Sequence, residues 1–191
     1  MLTRLRQRIS KYLEIVGIKL YRCRLTPNAI TLIGLFLSML CPVAAFFREL
    51  VFVMVLMLLS SLADVMDGAL ARAFGRVTRF GSVLDSFSDR VSEFMFFYSL
   101  VLLGIRIELT LIALSVSFLV SYLRALGEKF GIKMEGVGLL ERGERLILLL
   151  IAFIGILVHL DIITNISILL LILLGCITVM QRLLHLQKLL R

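Results

Sequence analysis

Tryptophan is absent from the 191 residues, proline and histidine occur twice each, and cysteine three times. Each shortage excludes something. Cys41 and Cys176 lie inside apolar runs and Cys23 in a basic segment, without framework or ligand spacing, so neither a disulfide scaffold nor a zinc site is expected. His159 and His185 have no carboxylate at a useful interval and are not metal-site candidates. Acidic residues are also sparse, 13 against 21 Lys and Arg, for a net charge of +8. The basic residues do not form the single patch that nucleic acid requires; they alternate with apolar stretches, and no nucleic-acid partner is expected. Low-complexity segments, internal repeats and a polar second domain are all missing. What is present is apolar: 60% of the residues are hydrophobic, with a mean hydropathy of +1.04. Soluble domains seldom approach such values, so the chain reads as an all-α, multi-pass membrane protein.

The apolar residues fall into six spans, at about 28–47, 50–74, 81–104, 107–130, 144–160 and 162–184. Each approaches the roughly 20 residues that cross a bilayer core as a helix. Residues 3–22 differ, with Leu5, Ile9, Tyr12, Leu13, Val16 and Leu20 at helical spacing among Arg4, Arg6, Arg8, Lys11 and Lys19. That pattern predicts an amphipathic helix in the membrane interface, its cations toward anionic headgroups, and no cleavable signal peptide. The chain thus divides into an interfacial segment, 1–25, and a six-helix membrane domain, 26–191. Thr26-Pro27-Asn28 opens the first span, Thr26 as N-cap and Pro27 at the first helical position. Seven Lys or Arg precede that span, four lie in 72–90, five in 124–145 and three in 182–191; only Arg48 and Arg106 fall in the opposite loops. Nineteen against two predicts both termini on the cytoplasmic side of the cell membrane.

Acidic residues are scarce, yet four aspartates gather in one stretch. It reads Asp64-Val-Met-Asp67-Gly68-Ala-Leu-Ala71-Arg72, then Gly81, Asp85 and Asp89. Asp64 and Asp67 are three apart, Asp85 and Asp89 four apart, so on helices each pair shares a face. The polar link Arg76–Arg79 joins two apolar flanks, folding the helices back on each other and collecting the carboxylates. Four negative charges in apolar surroundings imply cations. Hard oxygen ligands select Mg²⁺ or Mn²⁺. Small residues line the same stretch, and Gly75 is expected to serve helix packing, Gly68 the close approach of a ligand.

This pattern, D-x2-D-G-x2-A-R-x8-G-x3-D-x3-D, resembles the signature of the CDP-alcohol phosphotransferase family, and every fixed position is filled. Thr78-Arg79-Phe80-Gly81, Ser88-Asp89-Arg90 and Glu141-Arg142-Gly143-Glu144-Arg145 resemble most the phosphatidylinositol-phosphate and archaetidylinositol-phosphate synthases within it. The resemblance implies two divalent ions held by Asp64, Asp67, Asp85 and Asp89, Asp89 doubling as general base. It implies Arg72 on phosphate oxygens, and Asn28, Thr31, Gly68 and Thr78 lining the nucleotide site of a CDP-diacylglycerol or CDP-archaeol. It also implies a homodimer, while the count of basic residues places the aspartate motif on the cytoplasmic side.

Arg124, Arg145 and Arg182 lie within or at the edges of apolar spans, unlike Lys129 and Lys133, which read as ordinary loop charge. Guanidinium forks recognise phosphate bidentately, so the three suit an acceptor that is a phosphate monoester. In the similar inositol-phosphate-using enzymes a basic residue follows Ser-Tyr-x, as in Ser121-Tyr122-Leu123-Arg124, and Arg145 matches the second arginine of the Glu-Arg-x-Glu-Arg run. A further basic residue often found two positions later is Leu126 here. Inositol phosphate is therefore the expected acceptor, with glycerol 3-phosphate the alternative. The rival from another class, a divalent-cation transporter, would place its ligands near the bilayer midplane with repeat symmetry, and neither feature is seen.

Overall fold

A computed structural model describes residues 26–75 and 77–190, and the regular structure among them is entirely helical. Six helices follow in chain order: α1 Pro27–Phe46, α2 Leu50–Ala73, α3 Arg79–Leu102, α4 Ile107–Lys129, α5 Arg142–Leu157 and α6 Asp161–Leu189. They match the six apolar spans, with α6 running five residues further than hydropathy alone suggests. The expected interfacial helix at 3–22 lies outside the described residues.

Four of the six are long and apolar enough to cross a membrane: Pro27–Phe46, Leu50–Arg72, Ile107–Lys129 and Asp161–Leu189. The other two depart for different physical reasons. Helix α3 has 24 residues but carries Asp85, Asp89, Arg90 and Glu93 along its length. Helix α5 has only 16 residues, about 24 Å of helix against a hydrocarbon core of about 30 Å.

Two compact units divide the chain, Met1–Ser99 and Leu100–Arg191. In the first, α1 packs against α2. Thr26 caps α1 as expected, its Oγ1 accepting from Ala29 N at 3.2 Å, with Pro27 at the first position, where no amide is needed. At Gly34 the two helices approach closely. A Cβ there would stand 3.0 Å from Ala63 Cβ and 3.3 Å from Ser60 O, and Ser60 Oγ donates to Gly34 O at 2.8 Å. Gly75 does not do the packing expected of it: nothing lies within 4 Å of a Cβ built there, and its φ is +60°. Its role is conformational, turning the chain out of α2 through a region that side chains disfavour.

In the second unit α6 packs against both α4 and α5. Leu123, Met134 and Leu186 form an apolar cluster, with Leu126 packed against it. The connection between α4 and α5 is pinned to α6, because Thr178 Oγ1 accepts from Leu139 N at 3.2 Å and Leu140 N at 2.9 Å. Gly138 makes this approach possible, with φ at +110° and no Cβ to meet Thr178. Glu141 and Glu144 close a reciprocal capping box at the start of α5, Glu141 N donating to Glu144 Oε2 at 3.1 Å.

Candidate metal and nucleotide site

The aspartate motif folds much as its spacing demands. Asp64 and Asp67 share one face of α2, Asp85 lies on α3, and one carboxylate oxygen from each falls within 4.8 Å of the others. Asp67 is the deepest, 4% exposed, while Asp64 and Asp85 are half-buried. Ionised carboxylates this close repel by roughly 3 kcal/mol or more per pair at an effective dielectric of about 20. Three converging hard oxygens of this kind fit a divalent cation. Among the described residues Asp89 is not part of that trio. It stands one turn further along α3, with Oδ2 3.3 Å from Arg90 Nη1.

The residues expected around the nucleotide sort into two places. Asn28, Thr78 and Gly81 meet where α1 and α3 begin: a Cβ on Gly81 would lie 2.9 Å from Thr78 Oγ1 and 3.1 Å from Asn28 Oδ1. Thr78 also caps α3, accepting from Gly81 N at 2.9 Å. Gly68 and Arg72 form the second place. A Cβ on Gly68 would stand 3.2 Å from Arg72 Nη1, so the missing side chain leaves room for the guanidinium one turn on. Thr31 lies one turn into α1, and its hydroxyl donates to Asp67 Oδ2.

The three arginines of the second unit are not equivalent. Arg145 and Arg182 are 2% and 1% exposed. Arg145 Nη2 donates to Ser121 Oγ at 3.1 Å. Arg182 donates from Nε to Val137 O at 2.9 Å and from Nη1 to Val120 O. These bonds tether α6 to α4 and to the α4–α5 connection. Arg124, by contrast, is exposed and bonds through Nε to Glu128 Oε1 at 2.8 Å, one turn on along α4. Lys133 is exposed, as expected of a loop charge.

Residues 24–182 match the family of CDP-alcohol phosphatidyltransferases. The chain belongs to that family. It is 35% identical over 153 residues to the archaetidylinositol phosphate synthase of Pyrococcus horikoshii, covering 80% of this chain and 81% of that one. To the enzyme of the same description in Methanothermobacter thermautotrophicus it is 33% identical, covering 97% and 93%. Among solved structures, the fold is similar to phosphatidylinositol phosphate synthase of Mycobacterium tuberculosis with CDP-DAG bound. The TM-score is 0.78 and the identity 30%, covering 91% of this chain and 92% of that one. The same enzyme in complex with manganese and citrate also gives 0.78, at 31% identity, covering 90% and 87%.

As a CDP-alcohol phosphatidyltransferase, the chain is an enzyme of phospholipid synthesis, with a carboxylate trio that fits a divalent metal. Several features of its clusters carry no motif signal. Ser121 opens the Ser-Tyr-x run, but its bond to Arg145 carries no such signal. Buried Ser38 and Ser92 join α1 to α3, Ser92 Oγ donating to Ser38 Oγ at 2.9 Å. Glu93, 1% exposed, continues the four-residue interval from Asp85 through Asp89. That interval is the one signal in the sequence that could have found it.

Proposed function

We propose that this enzyme transfers a phosphatidyl or archaetidyl group from a CDP-lipid to a hydroxyl of inositol phosphate, releasing CMP. The observation that carries the reading is the Asp64–Asp67–Asp85 trio, with its oxygens within 4.8 Å, inside a complete family motif. The names of the relatives support the acceptor. Asp64, Asp67, Asp85 and Asp89 would hold two ions, Mg²⁺ or Mn²⁺. When bound, the metal supplies charge neutralisation on the diphosphate.

The remaining steps belong to side chains. Arg72 pairs with phosphate oxygens, and Asn28, Thr78 and Gly68 shape the nucleotide site. Asp89 takes the proton from the acceptor hydroxyl as its oxygen attacks the lipid-side phosphorus. The bond from that phosphorus to the CMP oxygen breaks, and CMP departs with the electron pair. Arg145 and Arg182 hold the acceptor's own phosphate, and Arg124 joins them by exchanging Glu128 for it. Residues 26–191 form one catalytic domain of six membrane helices, with both termini and the site on the cytoplasmic side, in a homodimer.

The test is CMP release by purified protein given CDP-diacylglycerol or CDP-archaeol with inositol phosphate, glycerol 3-phosphate, serine or free inositol. Turnover is expected with inositol phosphate and is abolished in Asp85→Asn, whose amide is a poor charge partner for the cation. Turnover with glycerol 3-phosphate alone moves the acceptor to that alternative. A well-folded Asp85→Asn enzyme with full activity overturns the metal reading.

A further inference from the structure

Thr31 sits one turn into α1, 7% exposed, and its hydroxyl reaches two acceptors. Pro27 O lies 3.1 Å away, four residues back on the same helix. Asp67 Oδ2, on α2, is the closer partner. A hydroxyl has one proton to give. Pro27 O stands at the position the helical amide ladder serves, whereas Asp67 is a carboxylate 4% exposed to solvent. A hydrogen bond to a charged acceptor is roughly twice as strong as one between neutral groups, so the proton goes to Asp67.

From this contact we infer that Thr31 is a positioning residue for the cation, acting through Asp67 rather than on the nucleotide. The inference rests on Asp67 being a metal ligand, as proposed above. An aspartate at a metal must present its oxygens at a set angle, and a second bond to the carboxylate removes its freedom to rotate. Thr31 is well placed for this because α1 is itself fixed on either side of it. Thr26 caps the helix, Ser60 bonds Gly34 O at 2.8 Å, and Ser92 bonds Ser38 at 2.9 Å. Thr31, Gly34 and Ser38, at intervals of three and four, share the face of α1 that contacts both aspartate-bearing helices. A methyl group in place of the hydroxyl would leave Asp67 buried with one partner fewer and its side chain free to turn.

The experiment is Mn²⁺ binding to detergent-purified enzyme, followed by electron paramagnetic resonance of the free ion, without substrate. Thr31→Val keeps the branched shape and loses the hydroxyl; Thr31→Ser keeps the hydroxyl. Thr31→Val should weaken Mn²⁺ about tenfold or more, the usual cost of losing a partner to a metal ligand. Thr31→Ser should stay within about twofold of the parent, and CMP affinity measured in EDTA should be the same for all three. Turnover of Thr31→Val should rise toward the parent's as Mn²⁺ is raised. Parent-like Mn²⁺ affinity in Thr31→Val, or an equal loss in Thr31→Ser, overturns the inference. So does a fall of CMP affinity in EDTA, which would put Thr31 on the nucleotide. Asp67→Asn is the control. If it loses Mn²⁺ while Thr31→Val does not, only the role of Thr31 falls; if it keeps Mn²⁺, the metal reading falls first.

Discussion

Gly81 shows how small a margin separates the motif from disorder in its site. A methyl group there would stand 2.9 Å from Thr78 Oγ1 and 3.1 Å from Asn28 Oδ1, so one of the two must move. Overpacking of this kind costs roughly 1–3 kcal/mol. Gly81→Ala should therefore raise the KM for CDP-lipid and leave the KM for the acceptor unchanged, as read from initial rates with each substrate varied. The buried arginines predict the reverse pattern. Arg145 is 2% exposed and bonded to Ser121. Losing hydrogen bonds to a charged group costs roughly 1.5–3 kcal/mol. Arg145→Ala should raise the acceptor KM by about tenfold or more on that scale, with CDP-lipid affinity nearly intact. Lys133→Ala, an exposed change, should do little. Loss of CDP-lipid binding in Arg145→Ala would assign that guanidinium to the nucleotide.

At the scale of elements, the α4–α5 connection shows how Arg145 and Arg182 are positioned. It is held to α6 by Thr178, which accepts from both Leu139 N and Leu140 N, and by Arg182, which donates to Val137 O. The Glu141–Glu144 capping box then starts α5 so that Arg145 falls in its first turn. The two glutamates of the Glu-Arg-Gly-Glu-Arg run thus serve the helix, while its second arginine faces inward. Thr178→Val leaves two amides without their acceptor, at about 1–3 kcal/mol for each buried donor left unpaired. The expected result is a thermal midpoint several degrees lower and a higher acceptor KM at temperatures where the protein stays folded. An unchanged acceptor KM alongside the lower midpoint would show that the connection supports the fold alone.

For the molecule as a whole, the question is which ends of the helices share a side of the membrane. Nineteen of the 21 Lys and Arg lie in segments that six crossings would place together. In whole cells of an expressing bacterium, with Cys23, Cys41 and Cys176 replaced by serine, cysteines at Arg48 and Arg106 should react with an impermeant maleimide. Cysteines at Arg79, Lys133 and Lys188 should react only after lysis. Labelling of Arg48→Cys and Lys133→Cys on the same side would remove the six-crossing topology. Helices α3 and α5 decide this test, since the acidic residues of one and the 16-residue length of the other keep them from standing out by hydropathy and length.

By itself the sequence determined the number and placement of the described helices, the family, and the gathering of Asp64, Asp67 and Asp85. The reason is local. Apolar periodicity, a threonine cap before Pro27 and carboxylates three or four residues apart act over one or two turns, whatever else the chain does. The tertiary structure alone decided which polar side chains those turns would meet. Nothing in the intervals reveals that the Thr31 hydroxyl reaches across 36 residues to Asp67, or that Arg182 spans 62 residues to Val120 O. Leu126, where the resemblance leads us to expect a further basic residue, packs against Leu123, Met134 and Leu186, where a cation would be poorly solvated. Gly75 followed the same rule in reverse. Its sequence context read as packing, but the chain needed a positive φ at that point, and only the path from α2 into α3 could set that requirement.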